Sequence, residues 1–249
     1  MAEKKLKVRL DKLLVDLRLA DNDNKARALI LAGSIEVDNL PNPKAGSLVD
    51  PSSKVKIKES NPYVSRGGLK IESAMKNFNL SPEGRICLDI GASTGGFTDF
   101  LLKHGAKKVY ALDVGKGLLD SGLLRDPRVV SLEGVNFRYF SSQNLKEKME
   151  FVTIDVSFIS LEKILPNAVK TLVFGGEIVA MVKPQFESQP KDLRKGIVKD
   201  ETARQAAIDR IKAFSTGLGL EVKGAADSGL KGPGGNIEHF LWLKMNKFL

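Results

Sequence analysis

Apolar runs alternate with helical segments from residue 86 onward, and this alternation constrains the fold more than any other feature. The runs are short and rich in β-branched residues: ICLDI from Ile86, VYALDV from Val109, VVSL from Val129, FVTID from Phe151 and EIVAMVK from Glu177. Helices are predicted at Phe97–His104, Leu161–Leu172 and Asp200–Phe214. Strands that alternate with helices in this way form a parallel sheet with helices on both faces.

The C-terminal part of the sequence departs from this alternation. Two further runs, LEVKGAADS and IEHFLWLKM, follow each other with only a Gly/Pro-rich loop between them. Consecutive strands without an intervening helix pair in antiparallel fashion. We therefore predict an α/β fold with a Rossmann-like sheet, mostly parallel, that carries an antiparallel hairpin at its edge.

A second, smaller domain is predicted before residue 60. Leucines recur there at helical spacing, a polar break precedes a second helix, and the short alternating runs SIEVDN and KVKIK follow. The proline of SNPYVS disfavours helix before it, so the linker is placed there. The predicted organisation is a small α+β domain at 1–60, a linker at 61–66 and the larger domain at 67–249.

The charge balance favours a phosphate-rich partner. The chain has 39 Lys and Arg against 30 Asp and Glu, a net charge of +9. A basic helix face can lie along a phosphate backbone, although a charged face exposed to solvent explains the same pattern equally well. The candidate RNA-binding residues are Arg9, Lys12, Arg18, Lys25, Arg27 and Arg66.

Several classes of protein are disfavoured by composition. Cys87 is the only cysteine, which excludes an internal disulfide, and the two histidines, His104 and His239, lack metal-ligand spacing. No apolar run approaches the ~20 residues of a membrane span. The charged first residues lack the apolar stretch of a signal peptide. We expect a cytoplasmic protein that uses no metal.

The segment LDIGASTGGF, residues 88–97, is compatible with two kinds of active site. Gly91, Ser93 and Gly95 match the G-x-S-x-G elbow of serine hydrolases, for which Asp227 and His239 are the formal acid and base. However, the segment follows the first strand of its domain, whereas a hydrolase elbow follows several strands. No segment resembling the HGGG motif supplies a second oxyanion donor. The hydrolase interpretation is therefore disfavoured.

The same segment is typical of a cofactor loop. An apolar strand ends in Asp89, glycines follow that let a ligand approach the backbone, and then a helix begins. The next strand ends in Asp113, where a carboxylate can accept hydrogen bonds from a ribose diol. These features suit a dinucleotide as well as S-adenosylmethionine, although the spacing G-x-x-x-G-G departs from that of NAD-binding proteins.

Charged residues lie at the ends of other predicted elements. Asp155 and Lys183 end two apolar strands, Glu238 opens the last strand, and Lys70 precedes the first helix of the larger domain. The carboxyl ends of parallel strands converge on one crevice. Two lysines and two acids can therefore meet beside the cofactor, although each taken separately could be an ordinary surface charge.

Six ordered motifs resemble the TlyA family of ribosomal RNA methyltransferases. They are RGGLK, LDIGASTGGFTDFLL, ALDVG, IDVSFISL, VKPQFE and KGPGGN-IEHFLWL. This family also carries the name haemolysin and is related to the RrmJ/FtsJ-like 2′-O-ribose methyltransferases. The first domain resembles an S4 RNA-binding domain, although Glu36 and Asp38 add acids and Asn24-Lys25 stands where serine and arginine are common.

The resemblance implies a reaction and a set of residues. The reaction is transfer of a methyl group from S-adenosylmethionine to a ribose 2′-hydroxyl of cytidine in ribosomal RNA. The implied catalytic set is Lys70, Asp155, Lys183 and Glu238. The cofactor-binding residues expected from the loop and the strand ends are Asp89, Gly91, Ala92, Ser93, Gly95, Gly96, Phe97, Asp113, Val114, Asn136 and Asp155.

The chemistry assigns a role to each member of the catalytic set. A ribose hydroxyl is a poor nucleophile, so a base should remove its proton as the oxygen attacks. Burial and a neighbouring cation favour the neutral amine of a lysine, and we therefore expect Lys183 to be the base and Lys70 its partner. The acids Asp155 and Glu238 would orient the two lysines. The loop QFESQPKDLRKGIVK, residues 185–199, is either a substrate lid or an exposed connection.

Three alternatives remain open from the sequence. Methylation of a base nitrogen would call for an N/D-P-P-Y/F motif, where this chain has Asp155-Val-Ser-Phe158. A membrane-active haemolysin and a non-catalytic RNA-binding protein are the other two. The oligomeric state and the modified nucleotide are not determined by the sequence.

Overall fold

A computed structural model describes residues 7–31, 35–38, 40, 43–57, 61–232 and 235–246. The chain divides into two compact units, Met1–Asn61 and Pro62–Leu249. In the described part of the chain, no helix has the length and apolar character that crossing a membrane requires. Three positions in the runs named for the first domain, Ser34, Asn39 and Lys58, lie outside the described residues.

The first unit consists of two helices and two small antiparallel ladders. Its elements are β1 (Val8–Arg9), α1 (Leu10–Asp16), α2 (Asp23–Leu31), β2 (Ile35–Val37), β3 (Leu48–Val49) and β4 (Val55–Ile57). Strand β1 pairs with β3, and β2 pairs with β4. The leucines at helical spacing in α1, Leu10, Leu13 and Leu14, are buried against Ala26 and Ile30 of α2. Burial of these apolar side chains holds the unit together.

The second unit contains a seven-stranded sheet in the order β10-β11-β9-β8-β5-β6-β7. The strands are β5 (Ile86–Ile90), β6 (Lys108–Asp113), β7 (Val129–Glu133), β8 (Met149–Ile154), β9 (Leu172–Val182), β10 (Leu220–Asp227) and β11 (His239–Met245). The strands from β9 to β7 pair in parallel, and β11 and β10 add the predicted antiparallel hairpin at one edge. The predicted fold class is confirmed.

Helices cover both faces of this sheet. They are α3 (Gly67–Phe78), α4 (Gly96–Lys103), α5 (Ser121–Arg125), α6 (Leu165–Thr171), α7 (Pro184–Glu187) and α8 (Glu201–Gly217). Alternate residues of one strand enter different cores: Leu88 and Ile90 pack with α6 and α8, whereas Cys87 packs with α3 and α4. Such two-sided burial explains why the parallel strands read as continuous apolar runs.

Three predicted boundaries differ from the structure. The helix expected at Leu161–Leu172 is a 3₁₀ turn, Leu161–Lys163, followed by the shorter α6, and Leu172 already opens β9. Helix α8 extends to Gly217. The linker expected at 61–66 begins where the two units divide, after Asn61, and Tyr63 within it is buried against Phe100 in the second unit.

Candidate active site

The glycine-rich loop after β5 is pressed against the loop after β8. Gly91 has φ +88°, and a Cβ at this position would lie 2.6 Å from the carbonyl oxygen of Asp155. The backbone N–H groups of Gly91 and Ala92 both donate to Leu112 O, at 2.8 and 3.0 Å. Ser93 is also left-handed, with φ +50°. Only glycine tolerates the position of Gly91, so the loop is fixed by the close approach of two backbones.

A cavity of about 430 Å³ lies at the ends of β5 and β6. Its apolar walls include Leu112, Leu118 and Val135, and its polar groups include Asp113 and Asn136. The Asp113 carboxylate accepts hydrogen bonds from Ser93 N at 2.8 Å and from Gly115 N at 2.7 Å. An apolar slot with a carboxylate and an amide at its rim matches the chemistry of a nucleoside.

A larger cavity of about 750 Å³ adjoins the first. All four residues of the predicted catalytic set line it: Lys70, Asp155, Lys183 and Glu238. The two cavities share Gly91, Ser93, Asp155, Ser157 and Phe158 among their lining residues. The two cavities therefore join beside Asp155, where a ligand in the smaller cavity can meet a ligand in the larger one.

The four charged residues form two ion pairs. Lys70 Nζ lies 2.5 Å from Glu238 Oε2, and Lys183 Nζ lies 2.7 Å from Asp155 Oδ1. Lys183 Nζ also donates to Ser157 Oγ at 2.9 Å. Both lysines are only 9% exposed and Glu238 is fully buried, so the charges are held by each other more than by water. Glu238 Oε1 accepts no hydrogen bond from the described residues.

A buried carboxylate fixes the loop that follows Asp155. Glu187, at the end of α7, accepts hydrogen bonds from Ser160 Oγ and Leu161 N, both at 2.7 Å, and from Arg210 Nη2 at 2.9 Å. Burial raises the pKa of Glu187. The Glu187 side chain thus connects the loop after β8 with the segment after β9. These contacts fix the position of Asp155, directly after β8, relative to Lys183, directly after β9.

Most predicted cofactor residues line one of the two cavities, and two do not. Gly91, Ser93, Asp113, Val114, Asn136 and Asp155 line the smaller cavity, whereas Ala92, Gly96 and Phe97 line the larger one. Phe97 is also core, since its ring lies 6.1 Å from that of Phe240. Asp89 and Gly95 are not among the lining residues of either cavity.

Asp89 lies beneath the loop instead of facing a ligand. It is fully buried, and its carboxylate accepts hydrogen bonds from Thr98 Oγ1 at 2.7 Å and Thr153 Oγ1 at 3.0 Å. Burial raises the pKa of Asp89 to about 7. The expectation that Asp89 contacts the cofactor is corrected by this placement: the side chain joins β5, β8 and α4 from within the core.

The serine-hydrolase interpretation finds no support in the geometry. His239 Nδ1 lies 2.6 Å from Asp227 Oδ1, but the two residues face each other across the β10–β11 hairpin. Neither lines the cavities that Ser93 lines. The described residues contain no cluster of three or more His, Cys, Asp and Glu side chains suited to hold a metal ion.

The candidate RNA-binding residues fall into two groups. Arg66 lines the larger cavity. In the first unit, Arg9 and Arg27 both contact Asp11, at 2.7 and 3.2 Å, and Lys12 contacts Asp23. The hydrogen bond from Arg9 holds the pKa of Asp11 far below its usual range. Arg18 and Lys25 are exposed.

Sequence reasoning missed several residues that line the larger cavity, among them Ser157, Gln185, Lys231 and Asn236. Ser157 lies in the motif IDVSFISL, Gln185 lies in VKPQFE, and Lys231 and Asn236 lie in KGPGGN. Proximity to those motifs is the signal that could have found Ser157 and Gln185. Nothing local in the sequence indicates that Asn236 is buried or which backbone groups it binds.

Comparisons with known proteins agree with this geometry. The family model of the FtsJ-like methyltransferases matches residues 63–245. The chain is 45% identical to "Putative rRNA methyltransferase YqxC" of Bacillus subtilis, over 95% of this chain and 85% of that protein. It is 39% identical to the 16S/23S rRNA (cytidine-2′-O)-methyltransferase TlyA of Mycobacterium tuberculosis, over 96% and 90% of the two chains.

A solved structure extends the likeness to three dimensions. The structure named "Putative hemolysin from Streptococcus thermophilus" superposes with a TM-score of 0.77 at 42% sequence identity. The match covers 98% of this chain and 90% of that one.

Proposed function

The chain belongs to the FtsJ-like methyltransferase family, and on that premise we propose that it methylates a ribose 2′-hydroxyl of cytidine in ribosomal RNA, with S-adenosylmethionine as donor. The observation that carries the proposal is the junction of the two cavities at Asp155. A donor in the smaller cavity and a ribose in the larger one would meet beside two buried lysines. Because the proposed substrate is ribosomal RNA, we expect the enzyme in the cytoplasm.

The smaller cavity suits the donor. Asp113 retains carboxylate lone pairs that can accept from a ribose diol, and Leu112, Leu118 and Val135 offer an apolar slot for an adenine ring. The Asn136 amide stands at the same rim. When bound, the donor supplies an electrophilic methyl group on a sulfonium. The fixed Gly91 loop, which lies against the backbone of Asp155, would hold the donor at the junction of the two cavities.

Lys183 is the residue we assign as general base. In this role its amine would take the proton of the ribose 2′-oxygen as that oxygen bonds to the methyl carbon, while the bond from the methyl group to the sulfonium sulfur breaks and the donor leaves as the thioether. Asp155 and Ser157 hold Lys183 Nζ from two sides, at 2.7 and 2.9 Å. Lys70, held by Glu238, can donate a hydrogen bond to the 2′-oxygen and orient it. Both lysines are only 9% exposed, which strengthens these charge interactions.

The first unit is proposed to bind RNA as an S4-like domain. Exposed Arg18 and Lys25 support this role. Arg9 and Arg27 remain about half exposed while they contact Asp11, so their guanidinium groups can also reach phosphate oxygens.

The proposed function is tested by Lys183→Ala in an assay of tritiated methyl transfer to purified ribosomal subunits. We expect kcat to fall by about 10²- to 10⁴-fold, the usual contribution of a general base, with the affinity for S-adenosylmethionine unchanged. Lys163→Ala removes an exposed lysine that lines neither cavity and is the matched control. Near-normal transfer by Lys183→Ala with intact donor binding would show that the base is assigned to the wrong residue.

A further inference from the structure

The segment between α7 and α8 carries an unusual density of positive charge beside the larger cavity. Residues 191–199, KDLRKGIVK, contain four cations and one acid. Lys191, Arg194, Lys195 and Lys199 are all exposed, and in the part of the chain that the structure describes none of their side chains has a salt-bridge partner. Lys70 and Lys183 in the larger cavity are paired with carboxylates, whereas these four charges are available to a ligand.

The two nearby acids are already occupied by backbone groups. Asp192 Oδ2 accepts from Gln189 N at 3.3 Å, and Asp200 Oδ1 caps α8 by accepting from Ala203 N at 2.9 Å. With Lys191, Arg194 and Lys199, these acids line a concavity of about 390 Å³. Three cations against two acids leave the concavity with a small positive excess, which favours an anion.

Residues 194–197 of this segment form a hydrogen-bonded turn. Arg194 and Ile197 exchange two backbone hydrogen bonds, at 2.9 and 3.1 Å, and the two residues between them have positive φ, +52° at Lys195 and +77° at Gly196. Two positive φ values in a two-residue loop define a tight type I′ turn. A lysine in the left-handed region persists only where its surroundings impose it, and such positions cluster at functional sites.

A buried amide imposes this conformation. Asn236 is 3% exposed; its Oδ1 accepts from Val198 N at 3.0 Å, and its Nδ2 donates to Gly196 O at 3.0 Å. Asn236 stands two residues before Glu238 and lines the larger cavity together with Gly196. One side chain thus fixes the position of the cationic turn relative to the catalytic residues.

We propose that the turn Arg194–Ile197 is a fixed clamp for the phosphate groups of the RNA strand next to the target nucleotide, and that Asn236 is the residue that positions it. The proposal rests on the proposed function and names how that substrate is held. Leu193 and Gly196 of this segment line the larger cavity, which would take the ribose. Lys191, Arg194 and Lys199, next to them in the sequence, line the concavity, which would take the neighbouring phosphates. Phosphate contacts of this kind set the register of a strand without reading its sequence.

The test measures binding of purified ribosomal subunits as a function of salt, separately from methyl transfer. For Arg194→Gln with Lys195→Gln we expect on the order of tenfold weaker binding, and a slope of log K against log salt that is smaller by about 1.4 to 1.8 for two lost contacts. The affinity for S-adenosylmethionine should be unchanged. Arg125→Gln with Lys146→Gln removes the same two residue types from exposed positions outside both cavities and should leave binding and slope as in the wild type.

Asn236 is tested through its effect on the turn. Asn236→Asp keeps the acceptor for Val198 N and places a carboxylate oxygen against Gly196 O, whereas Asn236→Ala removes both bonds. We expect each to raise KM for ribosomal subunits while kcat and the donor affinity stay close to wild type. Combined with Arg194→Gln and Lys195→Gln, the loss should be less than the sum, because both changes act on one contact.

The outcomes separate the clamp from the proposed function. Unchanged binding and slope in Arg194→Gln with Lys195→Gln would overturn the clamp even if the wild type methylates subunits. If the losses caused by the Asn236 variants and by Arg194→Gln with Lys195→Gln were additive, Asn236 would not be the residue that positions the turn. Wild-type protein that binds subunits with the expected salt response but transfers no methyl group would overturn the proposed function and leave the clamp standing.

Discussion

Asp89 offers a test of whether the cofactor loop is held from below by a buried carboxyl group. The group is fully buried, and its two oxygens accept from Thr98 and Thr153 hydroxyls. Burial raises its pKa to about 7, against about 3.9 in an unfolded chain. Between these values the folded state holds more protons than the unfolded state, so stability falls as pH rises from about 4 to about 7.

The size of this effect follows from the shift. Roughly three pKa units at about 1.4 kcal/mol each correspond to about 4 kcal/mol, present in full below about pH 4 and lost by about pH 8. Asn in place of Asp89 cannot titrate, and either threonine hydroxyl can rotate to accept from its amide. The free energy of unfolding of Asp89→Asn, relative to wild type, should therefore increase by up to about 4 kcal/mol between pH 4 and pH 8.

The assay is urea denaturation of both proteins across this pH range, with donor affinity measured in parallel. Asp126→Asn is the control, because the hydrogen bond from Arg128 lowers the pKa of Asp126 and its titration therefore lies below about pH 4. Its stability relative to wild type should stay nearly constant between pH 4 and pH 8. A pH-independent difference for Asp89→Asn would refute the reasoning. Loss of donor binding as severe as that of Asp113→Ala would show that Asp89 contacts the donor after all.

Three further changes test the site itself. Gly91→Ala would place a Cβ 2.6 Å from Asp155 O at a residue with φ +88°. We therefore expect calorimetry to show loss of donor binding, and the free energy of unfolding to fall by about 1–3 kcal/mol. Glu238→Gln leaves buried Lys70 without its carboxylate, and denaturation should show a loss of about 3–5 kcal/mol, together with reduced kcat. Asp113→Ala should weaken donor binding while ribosomal subunits still bind, and unchanged donor affinity would argue against a nucleoside in the smaller cavity.

Much of the fold was predictable because the signals are local. A strand buried on both faces must be apolar at successive positions, so β5, β6 and β8 are visible in the sequence without knowledge of their neighbours. The ends of elements were less predictable. Leu172 opens a strand directly after α6, and no capping residue announces the change.

The site residues, too, were predictable only where the signal is local or follows from the fold class. Asp155 and Lys183 were found because strand ends converge, which is a property of the fold class. The pairing of Lys70 with Glu238 joins residues 168 positions apart, and spacing alone cannot show it. Asp89 looked like a ligand residue because it ends a strand, yet Thr98 and Thr153 enclose it. The bonds of Asn236 to Gly196 and Val198 likewise exist only in the folded chain.

The central claim is that this chain methylates the ribose 2′-oxygen of cytidine in ribosomal RNA. The most direct measurement incubates unmethylated ribosomal subunits with the protein and isotopically labelled S-adenosylmethionine, digests the RNA to nucleosides and identifies the labelled product by mass spectrometry. We predict labelled 2′-O-methylcytidine, absent when Lys183→Ala replaces the wild type. Label on a base, or no label in RNA from subunits that the protein binds, would contradict the account.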